Sequence, residues 1–85
     1  MNWGWEFTSD AQKQLLKLSK PDQKRIILKL DYFMASEDPL TFSQKMLNSQ
    51  IGSYRFRVGD YRIIFDLEDD LIVVVAVGHR KDIYR

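Results

Sequence analysis

The chain has 85 residues, 45% of them hydrophobic, and a formal net charge of +1. A chain of this length buries about 60–65% of its unfolded surface, which allows one modest core and one domain, expected to span residues 1–85. With no cysteine and a single histidine, His79, the sequence excludes a disulfide framework, a thiolate metal site and a multi-histidine metal site within one chain. No apolar run approaches the roughly 20 residues that span a bilayer, so no membrane partner is expected. The opening MNWGWEF lacks the basic and apolar regions of a signal peptide, and the expected location is the cytoplasm.

Trp3, Trp5 and Phe7 alternate with Gly4 and Glu6, a period of two that predicts a short strand with one aromatic face. Ser9-Asp10-Ala11-Gln12 fits a capping box, with Ser9 as N-cap and Gln12 reaching back. The spacing of Ala11, Leu15 and Leu18 predicts a helix to about Leu18. Pro21 suits the first residue of a second helix, whose apolar positions are Ile26, Ile27, Leu30, Phe33 and Met34. That helix should fade near Ala35, before Glu37-Asp38-Pro39. From Leu40 to Ser53 the pattern allows both a short helical turn and a strand near Lys45 to Leu47. Tyr54–Val58 and Tyr61–Asp66 read as a hairpin across Gly59-Asp60. A turn from Leu67 to Asp70 leads to Leu71–His79, LIVVVAVGH. This run is apolar on both faces and is expected at the sheet centre. The order is β-α-α-β-β-β, an α+β domain with a helical hairpin on one face of a mainly antiparallel sheet.

The near-neutral total hides local basic patches, which can bind polyanions. Residues 1–30 carry Lys13, Lys17, Lys20, Lys24, Arg25 and Lys29 against Glu6, Asp10 and Asp22. Between Pro39 and Phe65 stand Lys45, Arg55, Arg57 and Arg62 against Asp60 alone. The tail adds Arg80, Lys81 and Arg85 against Asp82. Strand alternation puts Arg55 and Arg57 on one face and Tyr54, Phe56 and Val58 on the other. On the next strand Arg62, Ile64 and Asp66 oppose Tyr61, Ile63 and Phe65. If the aromatic faces pack on the helices, Arg55, Arg57 and Arg62 project together from the open side. Their mutual repulsion would be relieved by a phosphate backbone, whose oxygens suit arginine's forked donors. Exposed strands also carry such charges for solubility and against edge pairing. Gly78-His79-Arg80 and Tyr84 add a histidine, an arginine and a tyrosine at the same sheet edge.

The segments YRFRVGDYRIIF, DLEDD and VGHRKDIYR, with the helical hairpin before them, closely resemble the RelE/ParE superfamily of toxins over nearly the whole chain. The resemblance implies the RelE-like microbial RNase fold and a RelE-type messenger-RNA interferase. Such a toxin enters the ribosomal A site and cuts the codon held there, with no metal and no cofactor. The ribose 2′-hydroxyl attacks the adjacent phosphate and leaves a 2′,3′-cyclic phosphate and a free 5′-hydroxyl. The implied partners are the ribosome, messenger RNA and a cognate RelB-like antitoxin, with operator DNA reached only through the antitoxin complex.

By the same resemblance, Arg55 and Arg57 stand at the family's two basic positions on the first hairpin strand, where lysine is frequent. Arg62 matches the arginine after the turn, Arg80 the arginine ending the last strand, and Tyr84 the C-terminal tyrosine. Arginine stays protonated at accessible pH, so these groups suit charge stabilisation. Arg62 and Arg80 are expected on the scissile phosphate, and Tyr84 against a base or the 2′-hydroxyl. His79 is the candidate acid–base group because its ordinary pKa lies near neutrality; alternation along the last strand puts it opposite Arg80. Lys13, Lys17, Lys20, Lys24, Lys45 and Lys81 are the RNA-binding candidates. Two other readings share the fold: a ParE-type inhibitor of DNA gyrase, and a non-catalytic binding module.

Overall fold

The aromatic alternation at the amino terminus forms strand β1, Gly4–Phe7, which pairs in parallel with the last strand. The computed structural model describes residues 3–47 and 49–84. Arg85, counted above in the basic tail, lies outside them. Helix α1 spans Ser9–Leu16 and α2 spans Lys20–Met34. A 3₁₀ turn, Pro39–Phe42, leads into β2, Ser43–Lys45. Strands β3, Tyr54–Val58, β4, Tyr61–Glu68, and β5, Leu71–His79, complete a five-stranded sheet of order β1-β5-β4-β3-β2. Every pairing except β1–β5 is antiparallel.

Several expected boundaries shift. Thr8, not Ser9, caps α1: its hydroxyl accepts from the Ala11 N–H at 3.2 Å. The Thr8 N–H already donates to Val74 O as the last rung of β1, so the chain turns one residue earlier than the capping-box spacing suggests. The helix stops at Leu16, and Leu18 reaches the core from the connecting turn. Ser19 caps α2, so the helix begins at Lys20 with Pro21 in its first turn. The uncertain 40–53 segment holds both alternatives, a helical turn and a strand, with the strand starting at Ser43 rather than near Lys45. Strand β4 runs on to Glu68, because Asp69 takes the left-handed turn position (φ 54) that aspartate tolerates. Strand β5 is interior as its apolar run predicts, but the central strand of the five is β4.

Both helices supply residues to one core. Ala11, Leu15, Ile26, Leu30 and Phe33 cluster with Phe56, Val58, Ile63, Phe65, Ile72, Val74 and Val77. An aromatic stack runs through it: Phe42–Phe33, Phe33–Phe56 and Phe56–Phe65 ring centroids lie 4.8, 4.6 and 4.5 Å apart. Trp3, Trp5 and Phe7 pack against its margin.

One irregularity in β5 decides which side chains face which way. Ile64 pairs with Ala76 but Phe65 pairs with Val74, so Val75 is an extra residue in the ladder. Counting by twos from Ile72 would put Gly78 under the helices and His79 on the opposite face. The bulge reverses this: Gly78 pairs with Arg62, and His79 pairs with Tyr61 on the helix side.

The other sheet face is not bare. Gly52 lies on it so closely that a Cβ there would meet Ile64 Cγ2 at 2.7 Å and Val75 Cγ2 at 3.2 Å. From the other end the tail folds back, and Ile83 Cδ1 occupies the space above Gly78. The loop after β2 and the tail after β5 thus form two partial covers on the arginine-bearing side.

Candidate nucleic-acid interface

The hairpin sets the arginine geometry. Arg57 and Arg62 are direct cross-strand partners, and Arg55 stands two residues along β3 opposite Ile64. Like charges placed opposite one another on a sheet destabilise it. Arg57 is exposed, whereas Arg62 is only 6% exposed. Its Nη1 donates to Gly59 O and Tyr61 O, both at 3.0 Å. Among the described residues these carbonyls are its only hydrogen-bond partners, and no carboxylate neutralises it. Burial lowers its pKa from the ordinary value first, and the charge of Arg57 adds to that, with Arg55 and Arg80 contributing further. Folding therefore holds a cation in a place that disfavours cations.

Arg55 is held differently. Gln44 Oε1, across the β2–β3 pair, accepts from its Nε at 3.0 Å and from its Nη2 at 2.6 Å. Its Nη1 donates to Tyr84 Oη at 2.8 Å, and its Cζ lies 5.8 Å from that ring's centroid. The tail thus returns Tyr84 to the arginine face. Gln44 has no signal in the sequence, because its role depends on a three-residue strand whose register sequence alone leaves open.

Arg80 follows the end of β5. Its N–H donates to Asp60 O at 2.8 Å, and its Nε lies 3.7 Å from Asp60 Oδ1. Both side chains are more than half exposed, so this pair is weak and leaves Arg80 accessible. The structure therefore brings Arg55, Arg57, Arg62, Arg80 and Tyr84 to one side of the sheet.

His79 is not brought there. Its ring lies edge-on to Tyr61, centroids 5.8 Å apart, on the helix side. Its Nδ1 accepts from the Lys81 N–H at 3.1 Å, which leaves the proton of a neutral ring on Nε2. Tyr61 Oη in turn donates to Asp22 Oδ2 at 2.9 Å, tying the start of α2 to the hairpin. That hydrogen bond, then burial, raises the Tyr61 phenol above its ordinary pKa.

Lys45 ends β2 directly opposite Tyr54, so the strand register puts it on the face opposite Arg55, whose cross-strand partner is Gln44. Lys81 is exposed in the tail. Lys13, Lys17, Lys20 and Lys24 are exposed on or between the helices, which cover the opposite face of the sheet. Among the described residues no three His, Asp or Glu side chains converge on a position that could hold a metal ion. No described helix is long and apolar enough to cross a membrane.

Residues 5–84 match the family model described as the ParE toxin of the type II toxin–antitoxin system parDE. The chain is 30% identical over 81 residues to toxin RelG of Mycobacterium tuberculosis, covering 93% of this chain and 92% of that protein. Its fold is similar to the toxin–antitoxin complex RelBE2 of Mycobacterium tuberculosis, with a TM-score of 0.70 and 25% identity over 94% of this chain and 100% of the matched one. It is also similar to the archaeal RelE–RelB complex of Pyrococcus horikoshii, with a TM-score of 0.73 and 24% identity over 96% and 99%.

Proposed function

Because the chain belongs to the RelE/ParE superfamily of type II toxin–antitoxin toxins, we propose that it is a ribosome-dependent endoribonuclease that cuts messenger RNA in the A site. The observation that carries this reading is Arg62, a buried guanidinium with no carboxylate partner among the described residues, flanked by Arg57, Arg55 and Arg80. An uncompensated buried cation is costly, and a polyanion relieves that cost.

In this mechanism the ribose 2′-oxygen attacks the adjacent phosphorus as the bond to the 5′-oxygen breaks. The 2′-hydroxyl loses its proton and the departing 5′-oxygen gains one, giving a 2′,3′-cyclic phosphate and a 5′-hydroxyl. Arg62 and Arg80 hold the scissile phosphate, and Arg57 adds charge as the phosphorane forms. Fixed cations in a partly desolvated site stabilise such charge without reorganising. Tyr84, steadied by Arg55, offers its ring to a base. His79 acts in proton transfer only if the end of β5 rearranges, since its ring stands on the helix side. The helix lysines, facing away from the cut, suit ribosomal RNA.

A RelB-like antitoxin is the proposed inhibitor, because the structural relatives are toxin–antitoxin complexes. Operator DNA would be reached through that complex. The ParE description of the matched family favours a second reading, gyrase inhibition. The deciding experiment incubates a 5′-labelled message with ribosomes carrying an empty A site, with naked RNA alongside. Cuts confined to the ribosome-bound message support the nuclease. Intact message in both samples, from folded toxin freed of antitoxin, refutes it and directs the search to gyrase.

A further inference from the structure

Between the loop after β2 and the returning tail lies an open groove of about 670 Å³. That volume falls within the roughly 300–1,000 Å³ of small-ligand sites. Its apolar walls are Leu47, Ile51 and the ring of Tyr84, and its polar groups include Ser49, Gln50 and Arg55. Leu47 is 83% exposed, Tyr84 44% and Ile51 38%, so the apolar surface faces solvent rather than the core.

The groove is built, not accidental. The Gln44–Arg55–Tyr84 hydrogen bonds fix one wall. On the other side, Ser49 Oγ accepts from the Ile51 N–H at 3.1 Å and shapes the loop. Close packing of Gly52 on Ile64 and Val75 sets how near the loop approaches the sheet. The loop is also pinned at its end, where the Ser53 N–H donates to Asp66 Oδ1 at 2.9 Å.

Resting on the RNA-cleavage reading, we propose that this groove receives an unpaired nucleobase next to the cut and sets which base is preferred there. Arg57 lies two residues along β3 from Arg55, about 7 Å at strand rise, a step comparable to that between successive phosphates of an extended single strand. A strand with one phosphate on Arg62, Arg57 and Arg80 therefore carries its neighbouring nucleotide to Arg55. The base then slides between Tyr84 and Ile51. Stacking on the ring accepts any base; the Gln50 amide and the Ser49 hydroxyl, which can donate and accept, discriminate between base edges. The guanidinium of Arg55 at the rim, next to exposed Arg57, matches a nucleotide, where an apolar peptide side chain would leave that charge unused.

The test has two arms. The first maps cut positions on a pool of ribosome-bound messages by sequencing the new 5′ ends, for wild type, Gln50→Ala and Leu47→Ser. Leu47 is so exposed that its substitution keeps the fold. The second follows quenching of 2-aminopurine in a non-cleavable 2′-deoxy trinucleotide by wild type, Ile51→Ala and Leu47→Ser, each verified as folded by its thermal midpoint. The groove predicts that Gln50→Ala shifts base frequencies beside the remaining cuts. It also predicts that Ile51→Ala and Leu47→Ser weaken trinucleotide binding about fivefold or more. Unchanged cut profiles together with unchanged quenching overturn it. If wild type cuts no message, the cleavage reading fails alone. The quenching arm then decides the groove: dependence on Ile51 and Leu47 sustains a nucleobase site, and independence removes it.

Discussion

On the helix-covered face of the sheet, Phe33, Phe56 and Phe65 stack in sequence, and Phe56, Val58, Ile63, Phe65, Ile72, Val74 and Val77 are buried beneath the helices. On the opposite face a comparable degree of burial encloses Arg62, a charge held among the described residues by two carbonyls and no carboxylate. One face gains stability from every contact it makes. The other loses some, through arginines placed opposite one another. The difference teaches which residues the fold needs and which it carries for another purpose. A charged cluster that weakens the fold is explained by a ligand that completes it, whereas an aromatic stack needs no such explanation.

Substitutions sharpen that contrast. The largest effect on stability is expected from Phe56→Ala, which removes the middle ring of the stack and costs about 3–5 kcal/mol; denaturant unfolding measures it. On the other face Arg80→Ala should lower ribosome-bound cutting by about 10²–10³-fold while its unfolding curve stays near wild type. Gly52→Ala pushes a methyl into Ile64 and Val75 and should cost about 1–3 kcal/mol. It tests whether the loop is packed on the sheet or merely near it.

Tyr61→Phe removes the bond to Asp22 and should cost about 1 kcal/mol at neutral pH. Because that bond raises the phenol's pKa in the folded chain, the folded state keeps the proton to higher pH than the unfolded one. The stabilisation is therefore full below about pH 10, the unfolded value, and is lost as pH rises through the folded one. The difference between wild type and Tyr61→Phe should shrink over that alkaline range in urea titrations. Smallest of all, Asp60→Asn should change stability by no more than about 0.5 kcal/mol, because its pair with Arg80 is long and exposed.

Much of this arrangement was legible in the sequence, for reasons that differ by region. Alternation in YRFRV and YRIIF put Arg55, Arg57 and Arg62 on one face, because a hairpin closed by a tight Gly-Asp turn leaves little freedom of register. Helical spacing likewise identified Ile26, Leu30 and Phe33. The position of His79 followed from alternation only locally. Its actual face depends on the bulge at Val75, and a run of three valines gives no sign of where an extra residue sits. Burial of Arg62 was not legible either. The cross-strand partner of Arg62 on β5 is Gly78, which has no side chain and which the bulge brings to that face, and Ile83 of the tail lies over Gly78; neither is visible in a local pattern. Gln44 and the groove escaped notice because they depend on a short edge strand and a loop held by tertiary contacts rather than by a repeating pattern.

The most direct test of the central claim is Arg62→Met, measured for thermal unfolding and for cutting of ribosome-bound message in the same preparation. Methionine keeps much of the side chain's length and removes the charge. If Arg62 serves a phosphate, cutting falls by about 10²-fold or more, while the midpoint stays within about 4 °C of wild type or rises. A midpoint that drops well beyond that, with cutting per folded molecule retained, would show that the buried arginine belongs to the fold and contradict the account.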